Sequence, residues 1–185
     1  LVQGNMPSFT NPNNVSIVTG ARPDVHGVSG NHFLHEGRQV QMTDPAHLRC
    51  PTLLRAFSDR GARVCCVTAK EKLRRLVGSG VSGLSISGEG AAAAAERDRQ
   101  VRALVRSVGR APGIYSGRLS AYVLDLGLAL LDRDPPDLLY LSLTDYVPPK
   151  YAPGAAGAAA FFTRLDRRPA APAAPGRAEA EGGGQ

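Results

Sequence analysis

Ala62-Arg63-Val64-Cys65-Cys66-Val67-Thr68 is the stretch on which the fold turns. It is a short apolar run of strand length with β-branched residues, and it follows a turn at Gly61. That pattern fits a buried strand of a parallel sheet. Lys70 to Val77 then reads as a helix with Leu73, Leu76 and Val77 on its apolar side, and Val81 to Ile86 as a weak strand. Ala91 to Val108 and Leu119 to Leu131 read as helices, and Pro135-Pro136 breaks the chain. Asp137-Leu138-Leu139-Tyr140-Leu141-Ser142-Leu143-Thr144 is the strongest strand, running straight into Asp145. Upstream, Pro51 opens a helix over Thr52 to Arg60, with Leu53, Leu54 and Phe57 on one face. Asn13 to Thr19 is a short helix that Gly20 can end. The rest of residues 1–50 carries little periodicity. Helices alternating with buried strands predict an α/β layered fold with a mostly parallel sheet flanked by helices. Sites in such sheets form beyond the carboxyl ends of the strands. Thr68-Ala69-Lys70 and Thr144-Asp145-Tyr146 meet that condition.

The 185 residues, 43% of them hydrophobic, suffice for one core. We expect a single domain over residues 1–168 and a disordered Pro/Ala/Gly-rich tail over 169–185, which has too little apolar area to offset its ordering entropy. No apolar run is long enough to span a bilayer. The first residues lack the basic-then-apolar order of a signal peptide. They do not begin with Met, as expected of a fragment or a processed chain. The net charge of +6 comes mainly from scattered arginines with acidic neighbours, as in Arg97-Asp98-Arg99, and no nucleic-acid-binding signature accompanies it. Three cysteines, two of them adjacent in an apolar run, read as reduced buried thiols of a cytoplasmic protein rather than a disulfide framework.

Two motifs lead nowhere. Gly78-Ser79-Gly80-Val81-Ser82-Gly83 has the dinucleotide-binding spacing, but a helix precedes it and a strand follows, the reverse of the required context. His32 and His35 are three apart, yet Gly30 and Gly37 flank them, and a local zinc site would need more ligands at short spacing. Thr10-Asn11-Pro12, at the mouth of a short helix, says more. A helix start offers unpaired N–H groups and partial positive charge, which favour an anion or the alkoxide of a hydroxyl. The competing reading is that Thr10 is simply an N-cap.

The longer run from Met6 through Thr10-Asn11-Pro12-Asn13-Asn14 to Asn31 resembles the nucleophile region of the phosphonoacetate hydrolases. These belong to the alkaline phosphatase superfamily, near the nucleotide pyrophosphatases and phosphodiesterases. The likeness continues through Met42-Thr43-Asp44-Pro45, Leu48-Arg49-Cys50-Pro51-Thr52, Val67-Thr68-Ala69-Lys70-Glu71-Lys72-Leu73-Arg74 and Asp137 to Tyr146. It implies a zinc-dependent hydrolase that splits the C–P bond of phosphonoacetate into acetate and phosphate, using two zinc ions at the carboxyl ends of a parallel sheet. Thr10 matches the nucleophile, which also ligates one zinc. Asn31 matches the residue that hydrogen-bonds the phosphonate, Lys70 and Lys72 the substrate-binding lysines, and Asp145 a carboxylate ligand of the second zinc. The expected partner is a small-molecule phosphonate, with no nucleic acid and no membrane; a homodimer is allowed.

The chain also departs from that pattern. The family's Asp-bearing strand ahead of the nucleophile has no counterpart here. A family histidine four residues past Asp145 is replaced by Pro149, and a later Asp-His segment and a further histidine are not found. The expectation is an alkaline-phosphatase-like sheet incomplete at both ends, in a chain that is inactive or nearly so by itself. The alternatives are a non-catalytic anion-binding remnant and a related phosphodiesterase or nucleotide pyrophosphatase.

Overall fold

The computed structural model describes residues 4, 6, 8–144, 150–152 and 154–167. Asp145, Pro149 and the tail from 169 onward lie outside the described residues. The chain is an α/β layered structure built on a three-stranded parallel sheet, β3 (Val64–Thr68) in the centre, β4 (Ser85–Ser87) on one side and β5 (Leu138–Ser142) on the other. The period of two along β3 divides the core. Val64 and Cys66 face one layer, where α1 (Thr10–Thr19), α3 (Leu53–Ser58) and α4 (Glu71–Val77) contribute Val15, Val18, Leu54, Leu73, Leu76 and Val77. Cys65 and Val67 face the other, against Val101 and Leu104 of α6 (Arg99–Val108) and Leu119, Val123 and Leu126 of α7 (Arg118–Arg133). β5 repeats the division, with Leu138 and Tyr140 on the first side and Leu139 and Leu141 on the second. A strand covered on both faces needs apolar residues at every position, which is why Val64–Thr68 has no alternation in its sequence.

The structure corrects several local expectations. The helix expected over Asn13 to Thr19 begins at Thr10, because Pro12 tolerates the first turn. Ala91 to Val108 is two helices, α5 (Ala91–Arg97) and α6. Asp98, extended at φ −124°, ends one and caps the other by accepting from the Gln100 and Val101 N–H groups. The patternless N-terminal stretch contains α2 (Pro23–His26) and an antiparallel hairpin of β1 (His32–His35) and β2 (Arg38–Gln41), whose turn holds Glu36 and Gly37 at positive φ. Its strands are mostly exposed, so hydrophobic alternation could not announce them. A last helix, α8 (Ala156–Asp166), buries only Ala158 and Phe161 and so carries little apolar pattern. Gly78–Gly83 is the connection from α4 to β4, as its context required. A Cβ on Gly83 would stand 2.7 Å from both the Cys65 sulfur and the Val64 carbonyl, so close packing on β3 accounts for that glycine without a phosphate.

Candidate active site

A cleft of about 820 Å³ opens at the carboxyl ends of β3 and β5. The parallel neighbours of β3 lie on opposite sides, and their connections cover opposite faces, which is the arrangement that leaves a crevice there. Thr10, Asn31, Lys70 and Lys72, distant in sequence, all line it. Asp145, the fifth expected site residue, lies outside the described residues. The last described residue before it, Thr144, is in the cleft wall and is pinned through its backbone: Ser120 Oγ on α7 donates to its carbonyl and accepts from its N–H, both at 3.2 Å.

Thr10 is not the N-cap. That position is Phe9, which has no side-chain cap, and Thr10 is the exposed first residue of α1. The helix mouth is also less open than a bare helix start. The Asn11 N–H donates to Asn31 Oδ1 at 2.9 Å, Pro12 has no N–H, and the Asn13 N–H turns back to the Phe9 carbonyl at 3.3 Å. Among the described residues this leaves the Thr10 N–H as the donor of that first turn still free for the cleft. Asn31, by accepting through Oδ1, keeps its Nδ2 hydrogens for a ligand. The Asn11 side chain donates to the Met42 carbonyl at 2.6 Å and the Met42 N–H to the Asn31 carbonyl at 2.9 Å, so the segment carrying Asn31 is tied to α1.

Asn14, within the Asn-rich run, has a role that its sequence position does not announce. Its Oδ1 accepts from the Tyr140 hydroxyl at 2.6 Å and the Ser142 hydroxyl at 2.8 Å, and its Nδ2 donates to the Thr10 carbonyl at 2.8 Å. It thereby fixes the first turn of α1 to β5. Burial pushes the Tyr140 phenol well above its ordinary value, so it stays a donor. Behind this turn, His26 is fully buried between Ser16 Oγ at 2.9 Å and the Val28 N–H at 3.1 Å. Its Nδ1 accepts from the Val28 N–H, which puts the single N–H of the neutral ring on Nε2, facing Ser16 Oγ. Desolvation lowers its pKa despite the opposing help of its own backbone and Asp24. It is a structural histidine, not a ligand.

Lys70 is the N-cap of α4 and makes no side-chain cap; Lys72 stands in its first turn. Two cations at the positive end of a helix oppose its dipole, so helix stability does not explain them. Glu71 between them offsets part of that cost, but its carboxylate points to Arg74, at 2.6 and 2.9 Å, and to Ser87 Oγ at 2.6 Å. The Arg74 guanidinium, helped by Ser87 and against the penalty of burial, holds the Glu71 carboxyl down at about 2. The neighbouring acid is thus committed to the fold and the lysine charges are left to the cleft.

Residues 2–168 match the family of type I phosphodiesterases / nucleotide pyrophosphatases, and the chain belongs to that family. It is similar to the phosphonoacetate hydrolase of Sinorhizobium meliloti 1021. One crystal structure of that enzyme, with phosphonoformate, is 42% identical, and a second, with phosphonoacetate, 41%. Each superposes with a TM-score of 0.79 over 89% of this chain and 42% of the enzyme's chain. This chain therefore spans less than half the length of those relatives. The alkaline-phosphatase-like α/β architecture is shared with them.

Proposed function

We propose that this chain carries the nucleophile and the substrate grip for hydrolysis of the C–P bond of phosphonoacetate, yielding acetate and phosphate. The observation that carries the reading is the meeting of Thr10, Asn31, Lys70 and Lys72 in one cleft. Similarity to a phosphonoacetate hydrolase crystallised with phosphonoacetate and phosphonoformate supports the substrate class. In this reading Thr10 Oγ attacks phosphorus at the positive end of α1, where the dipole favours negative charge on the hydroxyl oxygen. The Thr10 hydroxyl gives up its proton to solvent as the Oγ–P bond forms, the P–C bond breaks, its electron pair leaves with the acetate carbon, and that carbon takes up a proton from solvent. Water then hydrolyses the phosphorylated threonine and releases phosphate. The Thr10 N–H and Asn31 Nδ2 donate to the phosphonate oxygens, and the compact ammonium groups of Lys70 and Lys72 hold the carboxylate.

Zinc enters only through the resemblance, with Thr10 and Asp145 as its ligands. Thr10 alone is among the described residues, where no three His, Cys, Asp or Glu side chains come together. A catalytic zinc takes three protein ligands. The described donors do not fit a zinc ion, and none of the steps above runs through one. The second reading is anion binding without turnover, which Asn31, Lys70, Lys72 and the free Thr10 N–H in the same cleft support.

Phosphate release from phosphonoacetate in zinc-supplemented buffer, read beside calorimetric binding with and without chelator, separates the two. The hydrolase reading expects release above background that Thr10→Ala lowers by about a thousandfold or more. The anion-binding reading expects no release, with binding that survives the chelator. Turnover of a phosphodiester in preference to phosphonoacetate would overturn the substrate assignment.

A further inference from the structure

The connection between α6 and α7, residues 109–117, brings Ile114 and Tyr115 into the wall of the cleft. Lys70 Nζ donates to the Ile114 carbonyl at 3.2 Å and lies 5.1 Å from the centre of the Tyr115 ring. Tyr115 is 72% exposed, so burial does not account for where it stands. The carboxylates nearest to hand are committed elsewhere. Glu71 is taken by Arg74 and Arg75, and Glu89 accepts from the Glu71 N–H at 2.9 Å. Among the described residues no acid pairs with Lys70.

A carbonyl and an aromatic face hold an ammonium without cancelling its charge, whereas a carboxylate in the same place would hold it and neutralise it. The carbonyl uses one of the three N–H donors and leaves the others for an incoming anion. Thr10 must stand at phosphorus to attack it, so the opposite end of a substrate falls to the cations remaining in the wall. Arg75 reaches Glu71 only at 3.5 Å with most of its side chain exposed, whereas Lys70 is the cation that the wall itself fixes in place, through the Ile114 carbonyl. We infer that Tyr115 is a positioning residue that, together with the Ile114 carbonyl, aims Lys70 at the carboxylate end of the substrate and so selects carboxylated phosphonates over simple ones. This rests on the phosphonate-binding reading above.

Calorimetric titration of the whole chain with phosphonoacetate and with methylphosphonate, which lacks the carboxylate, tests it. Tyr115→Ala is expected to weaken phosphonoacetate about three- to fivefold, the range of an exposed cation–π contact, and to leave methylphosphonate unchanged. Tyr115→Phe keeps the ring face and should bind both as the parent does. Tyr115→Ala binding phosphonoacetate like the parent, weakening both ligands alike, or being matched in its defect by Tyr115→Phe would overturn the assignment. Lys70→Ala separates the two levels. If it weakens phosphonoacetate while Tyr115→Ala does not, only the role of Tyr115 fails. If it too changes nothing, the phosphonate-binding reading fails with it.

Discussion

Asn14 illustrates how a single amide couples a proposed nucleophile to the sheet. It accepts two hydroxyls from β5 and donates to the carbonyl of Thr10. Asn14→Ala would remove the acceptor that the Tyr140 and Ser142 hydroxyls share and leave only one hydroxyl to serve the other. The cost of such an orphaned group is about 1–3 kcal/mol. Chemical denaturation should therefore show a lowered midpoint for Asn14→Ala, with part of the loss recovered in the double variant Asn14→Ala/Tyr140→Phe, which leaves only the Ser142 hydroxyl to find a new acceptor. Equal losses in the single and double variants would mean that the hydrogen bond is not what Asn14 contributes. The neighbouring residues Asn11 and Asn31 follow the same logic. Each spends a side-chain group on the backbone of a distant segment, and Asn31 keeps its Nδ2 hydrogens for the cleft.

At the level of elements, the clearest device is the tie between α4 and β4. Glu71 in the first turn of α4 accepts from Ser87 on β4 while paired with Arg74. Its carboxyl is lowered from 4.5 to about 2 in the folded chain, so the folded state favours the ionised form. The resulting stability is complete above the unfolded value near 4.5 and is lost as pH falls through about 2. Glu71→Gln should thus cost roughly 1–2 kcal/mol at pH 7, an amount reduced from the full linkage value because the side chain is about one-third exposed. The gap between parent and variant should close between pH 4.5 and 2 in thermal melts. A gap that stays constant through that interval would contradict the ionic origin. The same tie matters to the cleft, since it keeps the acid between Lys70 and Lys72 from quenching either of them. α1, by contrast, is held by side-chain amides rather than charge. Its placement should change little over the same pH range.

Over the whole molecule, one central strand with helices on both faces buries Cys65 and Cys66 completely, one thiol in each layer. Burial pushes the Cys66 thiol up to about 12 and raises Cys65 as well. Cys50 is only half-buried. Alkylation of the native protein at pH 8 should consequently modify one cysteine, Cys50, and all three after denaturation, as mass spectrometry of the labelled peptides will read. Rapid native labelling of Cys65 or Cys66 would mean that the two layers do not close as described. Much of this architecture is legible in the amino-acid order, because burial on both faces writes itself as an unbroken apolar run at Val64–Thr68 and as apolar periodicity in the helices. The exposed hairpin of residues 32–41 and the break at Asp98 left no such trace, since neither depends on a buried face. The sequence likewise put lysines at a strand end and a threonine before Asn-Pro, and resemblance alone connected them. Their convergence in one cleft, the capping of α1 by Asn31, and the neutral grip of Ile114 and Tyr115 on Lys70 all depend on contacts between segments far apart in the chain. Local propensity has no term for such contacts, so only the packed structure could decide them.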